Sequence, residues 1–376
     1  MLFRSVASLG SRNHIFVKVR TDQGIDGIGE AYSCGPDEAT VATINDFKRW
    51  LVGMDPRHIE YIWATLYNFT RFPGGSVVNA AISGIEHALW DISGKAAGLP
   101  VYMLMGGKIR DKVRVYQSAG GREPKDVAAS ARALVQKYGY TAIKMSPHME
   151  QSNARPYNYV TRMAGERVRA VRDALGPDVD IGVDIHAKFF EPVRAVRLAK
   201  AIEPFHPMWL EEPIRPENVA AMKKLAEHTD IPLASGECNY TKYEFRAILE
   251  AQCLDIIQPD VCVCGGLLEM KKIAAAAEAN YVMVAPHNPM GPVATTVNVH
   301  FAASTPNFLI LEYHPDDAAP RKDLLKEPLM VKAGYIPLPT RPGLGIELNE
   351  EAFRHYPPKP WRRGFEYRAD GSVAYI

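Results

Sequence analysis

The chain has 376 residues, of which 47% are hydrophobic, and its 44 Lys and Arg residues nearly balance its 43 Asp and Glu residues. This composition is typical of a folded globular protein and excludes a disordered, collagen-like or coiled-coil chain. The formal net charge of +1 excludes the strongly basic surface that binds nucleic acid or an anionic membrane. No stretch approaches the roughly 18 apolar residues of a membrane span. We therefore expect a cytoplasmic protein whose partner is a small molecule.

The first hundred or so residues combine strand and helix signals. Residues 14–20 and 28–32 alternate as two strands, and the glycine-containing segment between them predicts a hairpin turn. Residues 78–97 repeat apolar side chains at helical spacing, which predicts an amphipathic helix that ends near Gly98. We therefore predict an α+β domain over residues 1–112.

After residue 112 short apolar segments alternate regularly with helical segments, a pattern typical of a parallel sheet. The predicted strands are 113–117, 142–145, 181–185, 208–213, 232–237, 256–260, 282–287 and 309–314. Helices are predicted between most of them, for example at 191–202, 219–228, 242–251 and 266–280. Eight evenly spaced strands favour a closed α/β barrel over residues 113–318, with an open doubly wound sheet as the alternative. The proline-rich residues 319–376 predict an extension that wraps around the rest of the chain.

One polar residue closes each of six successive predicted strands, at separations of 23 to 27 residues. In a parallel barrel all the strands end at one face, and catalytic residues come from the ends of several strands. We therefore predict a catalytic site at the barrel mouth. Its residues are Asp184, Glu211, Glu237, Asp260, His287 and Glu312.

Three of these residues, Asp184, Glu211 and Glu237, are carboxylates with no cationic partner in their own strands. Unpaired carboxylates that converge repel one another, so a cation between them is favourable. Oxygen ligands alone suit Mg²⁺ better than Zn²⁺. The alternative is that these acids cap helices or pair with surface Lys and Arg, which explains one strand-end acid better than three in succession.

Asp260 and His287 close neighbouring predicted strands. At that distance a carboxylate can accept a hydrogen bond from Nδ1 of the imidazole and raise the basicity of Nε2, which predicts a general base. The alternative is a histidine that only packs in the barrel rim. His186 lies two residues after Asp184, and strand alternation would direct both side chains into the mouth.

Lys144 and Ser146 share one face of the second barrel strand, and the segment 146–163 that follows contains Tyr157 and Tyr159. Long loops at this end of a barrel often cover the site. We therefore predict that these four residues contact the substrate, with a solvent-exposed segment as the alternative.

Several motifs, in this order along nearly the whole chain, resemble the enolase superfamily and within it the mandelate racemase-like acid-sugar dehydratases of the galactonate and gluconate type. The resemblance implies a modified (β/α)7β barrel with an α+β capping domain to which the extension 319–376 returns, a bound Mg²⁺ and a homo-oligomer. The motifs include residues 84–100, 183–186, 209–213, 235–237, 257–260 and 285–287.

The same resemblance implies a role for each candidate residue. Asp184, Glu211 and Glu237 correspond to the metal ligands, Asp260 and His287 to the basic pair, His186 to the general acid, and Glu312 to the residue that hydrogen-bonds the enolate oxygen. To donate that hydrogen bond, Glu312 would need a raised pKa.

The reaction that this resemblance implies is Mg²⁺-dependent dehydration of an aldonate or aldarate to a 2-keto-3-deoxy acid. His287 would remove the α-proton and His186 would protonate the departing 3-hydroxyl. One alternative is a racemase or epimerase, which needs a second base on the opposite face. Racemases of this family carry Lys-x-Lys on the second strand, whereas the second position is Ser146 here, which leaves only Lys144, Tyr157 or Tyr159. The other alternative is a non-catalytic protein that binds a sugar acid.

Overall fold

The computed structural model describes residues 2–9, 12–33, 35–69, 71–360 and 364–375. Its N-terminal part contains an antiparallel sheet in the order β1-β2-β3 followed by helices. The predicted hairpin is formed by β2 and β3, and the predicted amphipathic helix is α4. The elements are β1 Leu2–Ser8, β2 Asn13–Arg20, β3 Asp26–Ala31, α1 Asp37–Asp46, α2 Lys48–Leu51, α3 Ile59–Tyr67, α4 Ser76–Ala97 and α5 Val101–Leu104.

The hairpin packs directly on α4, and two glycines allow the close approach. A Cβ atom at Gly27 would lie 2.0 Å from the carbonyl oxygen of Ala88, and one at Gly29 would lie 2.0 Å from the carbonyl oxygen of Gly84. Any side chain at these positions would force the strand away from the helix. The glycines therefore fix the distance between the sheet and the helix.

The barrel follows, and within the described residues it has eight parallel strands with one helix between each successive pair. The elements are β4 Lys112–Ala119, α6 Pro124–Tyr138, β5 Ala142–Met145, α7 Tyr157–Leu175, β6 Asp180–Asp184, α8 Pro192–Ile202, β7 Trp209–Glu211, α9 Val219–Ala226, β8 Leu233–Ser235, α10 Thr241–Ala251, β9 Ile256–Ile257, α11 Leu267–Ala279, β10 Met283–Val284, α12 Pro292–Ala303 and β11 Leu311–Glu312.

The sheet is closed, because β11 pairs with β4 and a parallel bridge joins Val284 of β10 to Phe308 just before β11. This confirms the predicted (β/α)7β barrel with its smaller α+β domain and excludes the open sheet. Several strands are shorter than predicted. Pro213, Pro259 and Pro286 follow β7, β9 and β10 within two residues, and proline cannot donate a hydrogen bond to a neighbouring strand.

The C-terminal extension contacts both parts of the chain. Its strand β12 Tyr335–Pro337 pairs antiparallel with β4. Further on, the backbone N–H of Ser8 donates to the carbonyl of Tyr356 at 3.0 Å. The extension ends in a hairpin of β13 Glu366–Tyr367 and β14 Val373–Ala374. No helix in the described part of the chain is long and apolar enough to cross a membrane.

The N-terminal domain is joined to the barrel through buried carboxylates at helix N-termini. Glu30, in β3, is fully buried and accepts hydrogen bonds from the backbone N–H groups of Gly291 (2.7 Å) and Ala294 (2.9 Å) at the start of α12. It also lies 2.9 Å from Nδ1 of His14. A negative charge at a helix N-terminus is favourable, because the N–H groups there have no partner inside the helix.

Glu86 of α4 makes the same kind of contact with α11. Its carboxylate accepts from the backbone N–H groups of Leu267 (2.8 Å) and Leu268 (2.9 Å) and from Nε1 of Trp90 (2.7 Å). Burial raises the pKa of Glu86 to about 7, although these hydrogen bonds oppose the shift. Two barrel helices are thus capped by side chains from the N-terminal domain.

Candidate active site at the barrel mouth

Three of the predicted strand-end acids meet around one lysine. Nζ of Lys144, at the end of β5, lies 2.6 Å from Oε1 of Glu211, 3.2 Å from Oε1 of Glu312 and 3.4 Å from Oδ2 of Asp184. Burial lowers the pKa of Lys144, but the surrounding carboxylates raise it well above its ordinary value. Lys144 is therefore an ammonium ion between these three carboxylates, and its contact with the substrate stays a prediction.

Glu211 is fixed in the barrel interior by its second oxygen. Oε2 accepts hydrogen bonds from Nε1 of Trp209 and from Nε2 of Gln258, both at 2.9 Å. Burial raises the pKa of Glu211 to about 7, with Lys144 opposing the shift and Asp184 adding to it. Glu211, the last residue of β7, thus points to the cluster.

Glu212 was not recognised as a site residue from the sequence. Its backbone adopts a φ of 40°, which interrupts the alternation of the strand and turns the side chain toward β8. There Oε1 accepts from Oγ of Ser235 (2.7 Å) and the N–H of Gly236 (3.0 Å), while Oε2 is buried and has no partner among the described residues. Burial, with Glu237 adding to it, raises the pKa of Glu212 to about 8.

The donor set fits a hard divalent cation, because each of the three candidate ligands, Asp184, Glu211 and Glu237, offers carboxylate oxygens. No group of three or more His, Cys, Asp or Glu side chains in the described ranges is gathered closely enough to hold a metal ion as it stands. Glu211 and Asp184 instead pair with Lys144, and Glu237 pairs with His287. The role of these acids as metal ligands remains a prediction.

Asp260 and His287 adopt the predicted arrangement. Nδ1 of His287 lies 2.9 Å from Oδ2 of Asp260, whose Oδ1 accepts from the backbone N–H of Cys262 at 2.8 Å. Nε2 lies 3.6 Å from Oε2 of Glu237. Burial lowers the pKa of His287, but Glu237 and Asp260 raise it to about 10. Asp260 thereby fixes the ring, and Nε2 is the nitrogen that faces the acids.

His186 reaches the mouth by a different route from the one predicted. Strand β6 ends at Asp184, and His186 and Ala187 then adopt left-handed φ values of 57° and 53°. The N–H of His186 donates to Oδ1 of Asp184 at 2.7 Å. Burial raises the pKa of Glu237, but the charges of His287 and His186 lower it further, so its net pKa lies below the ordinary value. The argument from strand alternation was wrong, because the strand ends at Asp184 and His186 lies in the tight turn that follows.

The expected raised pKa of Glu312 was also wrong. Burial does raise the pKa of Glu312, but Lys144 and His287 lower it further, and the net pKa lies below the ordinary value. The Lys144 ammonium is 3.2 Å away, and the backbone N–H of Asn288 donates to Oε2 at 3.0 Å. Both contacts favour the charged carboxylate.

The remaining predicted contacts lie outside the acid cluster. Helix α7 begins at Tyr157, so Tyr157 and Tyr159 lie in its first turn and not in a loop. The hydroxyl of Tyr157 donates to the carbonyl of Arg194 at 2.7 Å, and the Tyr159 ring lies against arginine side chains. Oγ of Ser146 accepts from the N–H of His148 at 3.3 Å. No contact among the described residues joins either tyrosine to the carboxylates.

Comparison with known proteins places the chain in a family. Residues 3–106 match the mandelate racemase/muconate lactonizing enzyme N-terminal domain, and residues 126–352 match the enolase C-terminal domain-like family. The chain belongs to the mandelate racemase/muconate lactonizing enzyme family of the enolase superfamily. It is 39% identical to a D-galactonate dehydratase of Variovorax paradoxus and 37% identical to one of Ralstonia pickettii, each over 368 residues and 96% of both chains.

Solved structures give the same result. An enolase of Agrobacterium radiobacter, proposed to be a galactarate dehydratase and solved with bound sodium and L-malate, has a TM-score of 0.96 and 38% identity and covers 100% of this chain and 99% of its own. A mandelate racemase/muconate lactonizing enzyme-like protein of Labrenzia alexandrii has a TM-score of 0.90 and 36% identity, with 96% and 97% covered. The resemblance inferred from the sequence is confirmed, and the chain is an enzyme of the hydro-lyase class.

Proposed function

We propose that this enzyme dehydrates a sugar acid, an aldonate or an aldarate, to a 2-keto-3-deoxy acid with the help of Mg²⁺. The observation that carries the proposal is the Asp260–His287 pair, whose Nε2 lies 3.6 Å from Oε2 of Glu237. His186 lies in the turn directly after Asp184, and its N–H donates to Oδ1 of Asp184. One base and one separate acid at a single site are what a dehydration requires. The D-galactonate dehydratases among its relatives support a sugar acid as the substrate.

His287 is the proposed base. Because Asp260 holds Nδ1, the α-proton of the substrate moves to Nε2. A base must be neutral before it acts, and Glu237 makes the largest contribution to raising the pKa of His287. A cation held by the Glu237 carboxylate would offset that contribution and would lower the pKa of His287 toward the range of a base.

Asp184, Glu211 and Glu237 are the proposed ligands of Mg²⁺. A bound Mg²⁺ would supply positive charge that stabilises the negative charge formed when the α-proton leaves. The Lys144 ammonium donates a hydrogen bond to the developing negative charge from the same side. Glu312 remains a carboxylate and orients Lys144, in place of the donor role that the resemblance implied.

His186 is the proposed acid. As an imidazolium it gives its proton to the 3-hydroxyl, which leaves as water, and the resulting enol becomes the ketone. The racemase alternative needs a base on the face opposite His287. Lys144 is an ammonium ion held by three carboxylates, and the Tyr157 hydroxyl is bonded to a backbone carbonyl. The geometry therefore favours elimination over proton return.

A panel of aldonates and aldarates in deuterated water, followed by proton NMR, tests the reaction. We expect a 2-keto-3-deoxy acid with deuterium at C3 and no accumulation of the C2 epimer. A chelator should abolish the reaction, and added Mg²⁺ should restore it. A C2-inverted acid as the main product, or full activity in the presence of chelator, would contradict the proposal.

Two variants test the division between base and acid. His287→Asn should stop both exchange of the α-proton and dehydration, with a loss of roughly 10² to 10⁴-fold. His186→Asn should retain exchange and lose dehydration. Wild-type rates in His287→Asn would show that the base lies elsewhere. His228→Asn serves as the control, since its ring is exposed and bonds the carbonyl of Lys224 in the preceding helix α9.

The proposal extends to the setting of the enzyme. We place it in the cytoplasm as a homo-oligomer whose partner is the small sugar acid. Light scattering of the purified chain measures the assembly, and a monomer at micromolar concentration would contradict that part of the proposal.

A further inference from the structure

The C-terminal hairpin, formed by β13 and β14, lies against two loops at the barrel mouth. Glu366 uses both carboxylate oxygens: Oε1 lies 2.5 Å from Nζ of Lys188 in the loop after β6, and Oε2 accepts from Nδ2 of Asn153 in the loop after β5 at 2.5 Å. Asn153 also donates to the carbonyl of Tyr375 at 3.0 Å. The Tyr375 ring stacks on Phe190 with their centroids 6.1 Å apart. The hairpin therefore connects the two loops.

Lys188 belongs to the turn that contains His186. The two residues before Lys188, His186 and Ala187, both have left-handed backbones, which are unfavourable for residues with a Cβ atom and need support from their surroundings. On the inner side, the N–H of Ala187 donates to the carbonyl of Glu212 at 2.8 Å. The next residue, Lys188, is bound through its side chain to Glu366.

That ion pair is less exposed than an ordinary surface pair. The side chain of Lys188 is 15% exposed and that of Glu366 is 30% exposed, so water screens the pair only in part. Glu366 is also oriented by Asn153, which leaves its second oxygen directed at Lys188.

We propose that Glu366 is a positioning residue for the reaction: through Lys188 it holds the turn that carries His186 in the place where His186 acts as the acid. This inference rests on the function proposed above for His186. It assigns the C-terminal hairpin to the active site, although the hairpin contributes no group that touches the reacting atoms.

Glu366→Gln tests this role, with Glu347→Gln as the matched control. Glu347 also lies in the C-terminal extension and pairs with a lysine, Lys326, at 2.7 Å, but both side chains are exposed. We expect Glu366→Gln to lower kcat for dehydration roughly 10-fold to 100-fold, because a small displacement of a catalytic group has an effect of that size. Exchange of the α-proton depends on His287, which the variant does not displace. Its rate should therefore stay within about twofold of wild type, far less than the change that displacement of a catalytic group causes.

A double variant identifies the path of the effect. If Glu366 acts through Lys188, Glu366→Gln combined with Lys188→Met should lose no more dehydration than Lys188→Met alone. The proposal is overturned if Glu366→Gln behaves like the control, if exchange and dehydration fall to the same extent, or if the losses of the two single variants multiply.

Hydrogen–deuterium exchange of residues 185–190 separates this proposal from the proposed function. If the wild-type enzyme dehydrates no acid in the panel, the proposed function fails. Deuterium uptake then still shows whether Glu366 holds the turn that contains His186. Faster uptake in this turn for Glu366→Gln than for Glu347→Gln supports the role of Glu366. Equal uptake in the two variants overturns it.

Discussion

Replacing Glu30 with glutamine is expected to weaken the junction between the N-terminal domain and the barrel. The Glu30 carboxylate accepts from the N–H groups of Gly291 and Ala294 at 2.7 and 2.9 Å and contacts His14 at 2.9 Å. Glutamine keeps the shape but has only one acceptor oxygen. Its amide group would therefore face one of the donors, and that donor is buried away from water.

The size of the effect follows from these contacts. A hydrogen bond to a charged group contributes about 1.5–3 kcal/mol, and the charge at the start of α12 adds about 1 kcal/mol. The expected loss in the free energy of unfolding is thus about 3 kcal/mol. At about 2.1 cal/mol/K per residue, a chain of 376 residues loses about 4 °C in Tm.

Differential scanning calorimetry measures this change, with Glu60→Gln as the control. Glu60 also reaches from the N-terminal domain to a barrel helix, where it pairs with Lys272 at 2.6 Å, but its side chain is 59% exposed. An exposed pair contributes less than about 1 kcal/mol, so the control should unfold within about 1 °C of wild type. Equal Tm values for Glu30→Gln and Glu60→Gln would refute the reasoning.

Two further predictions concern stability. Gly29→Ala should lower Tm by several degrees, since its Cβ would overlap the carbonyl oxygen of Gly84. Gly24 has a φ of 74° and no atom within 4 Å of an added Cβ, so Gly24→Ala should lower the free energy of unfolding by only about 1 kcal/mol. Similar Tm values for the two variants would contradict this. Burial lowers the pKa of His300 to about 4, below the 6.5 or so of an unfolded chain, so the unfolded state gains a proton between these values and stability falls as the pH is lowered through that window. When the pH is lowered across that range, the Tm of His300→Gln should fall less than that of the wild type. Identical pH profiles of Tm for the two proteins would show that His300 does not contribute to this loss of stability.

Much of the barrel and its site could be predicted because both depend on local patterns. Short apolar strands and helical segments alternate, and the carboxyl ends of parallel strands meet at one face whatever the lengths of the loops. The position of Asp260 beside His287 follows from this rule alone. Their hydrogen bond requires only that the two strands are parallel neighbours.

The parts that could not be predicted depend on backbone turns and on long-range contacts. Glu212 and His186 have left-handed backbones, so the alternation of side chains along a strand does not hold at these residues. Their residue types do not predict such a conformation. The charge of Glu312 depends on Lys144, which lies far from it in sequence and 3.2 Å away in space. The contact between Lys188 and Glu366, 178 residues apart, leaves no periodic signal in either segment.

The buried carboxylates at the domain junction also impose an order on biosynthesis. Glu30 and Gly291 are 261 residues apart, and Glu86 and Leu267 are 181 apart. At about 5–20 residues per second, the ribosome needs roughly 10 to 50 s to make the amides that these side chains bind. The N-terminal domain emerges first, yet its hairpin and long helix reach their final stability only when the last barrel helices have been translated.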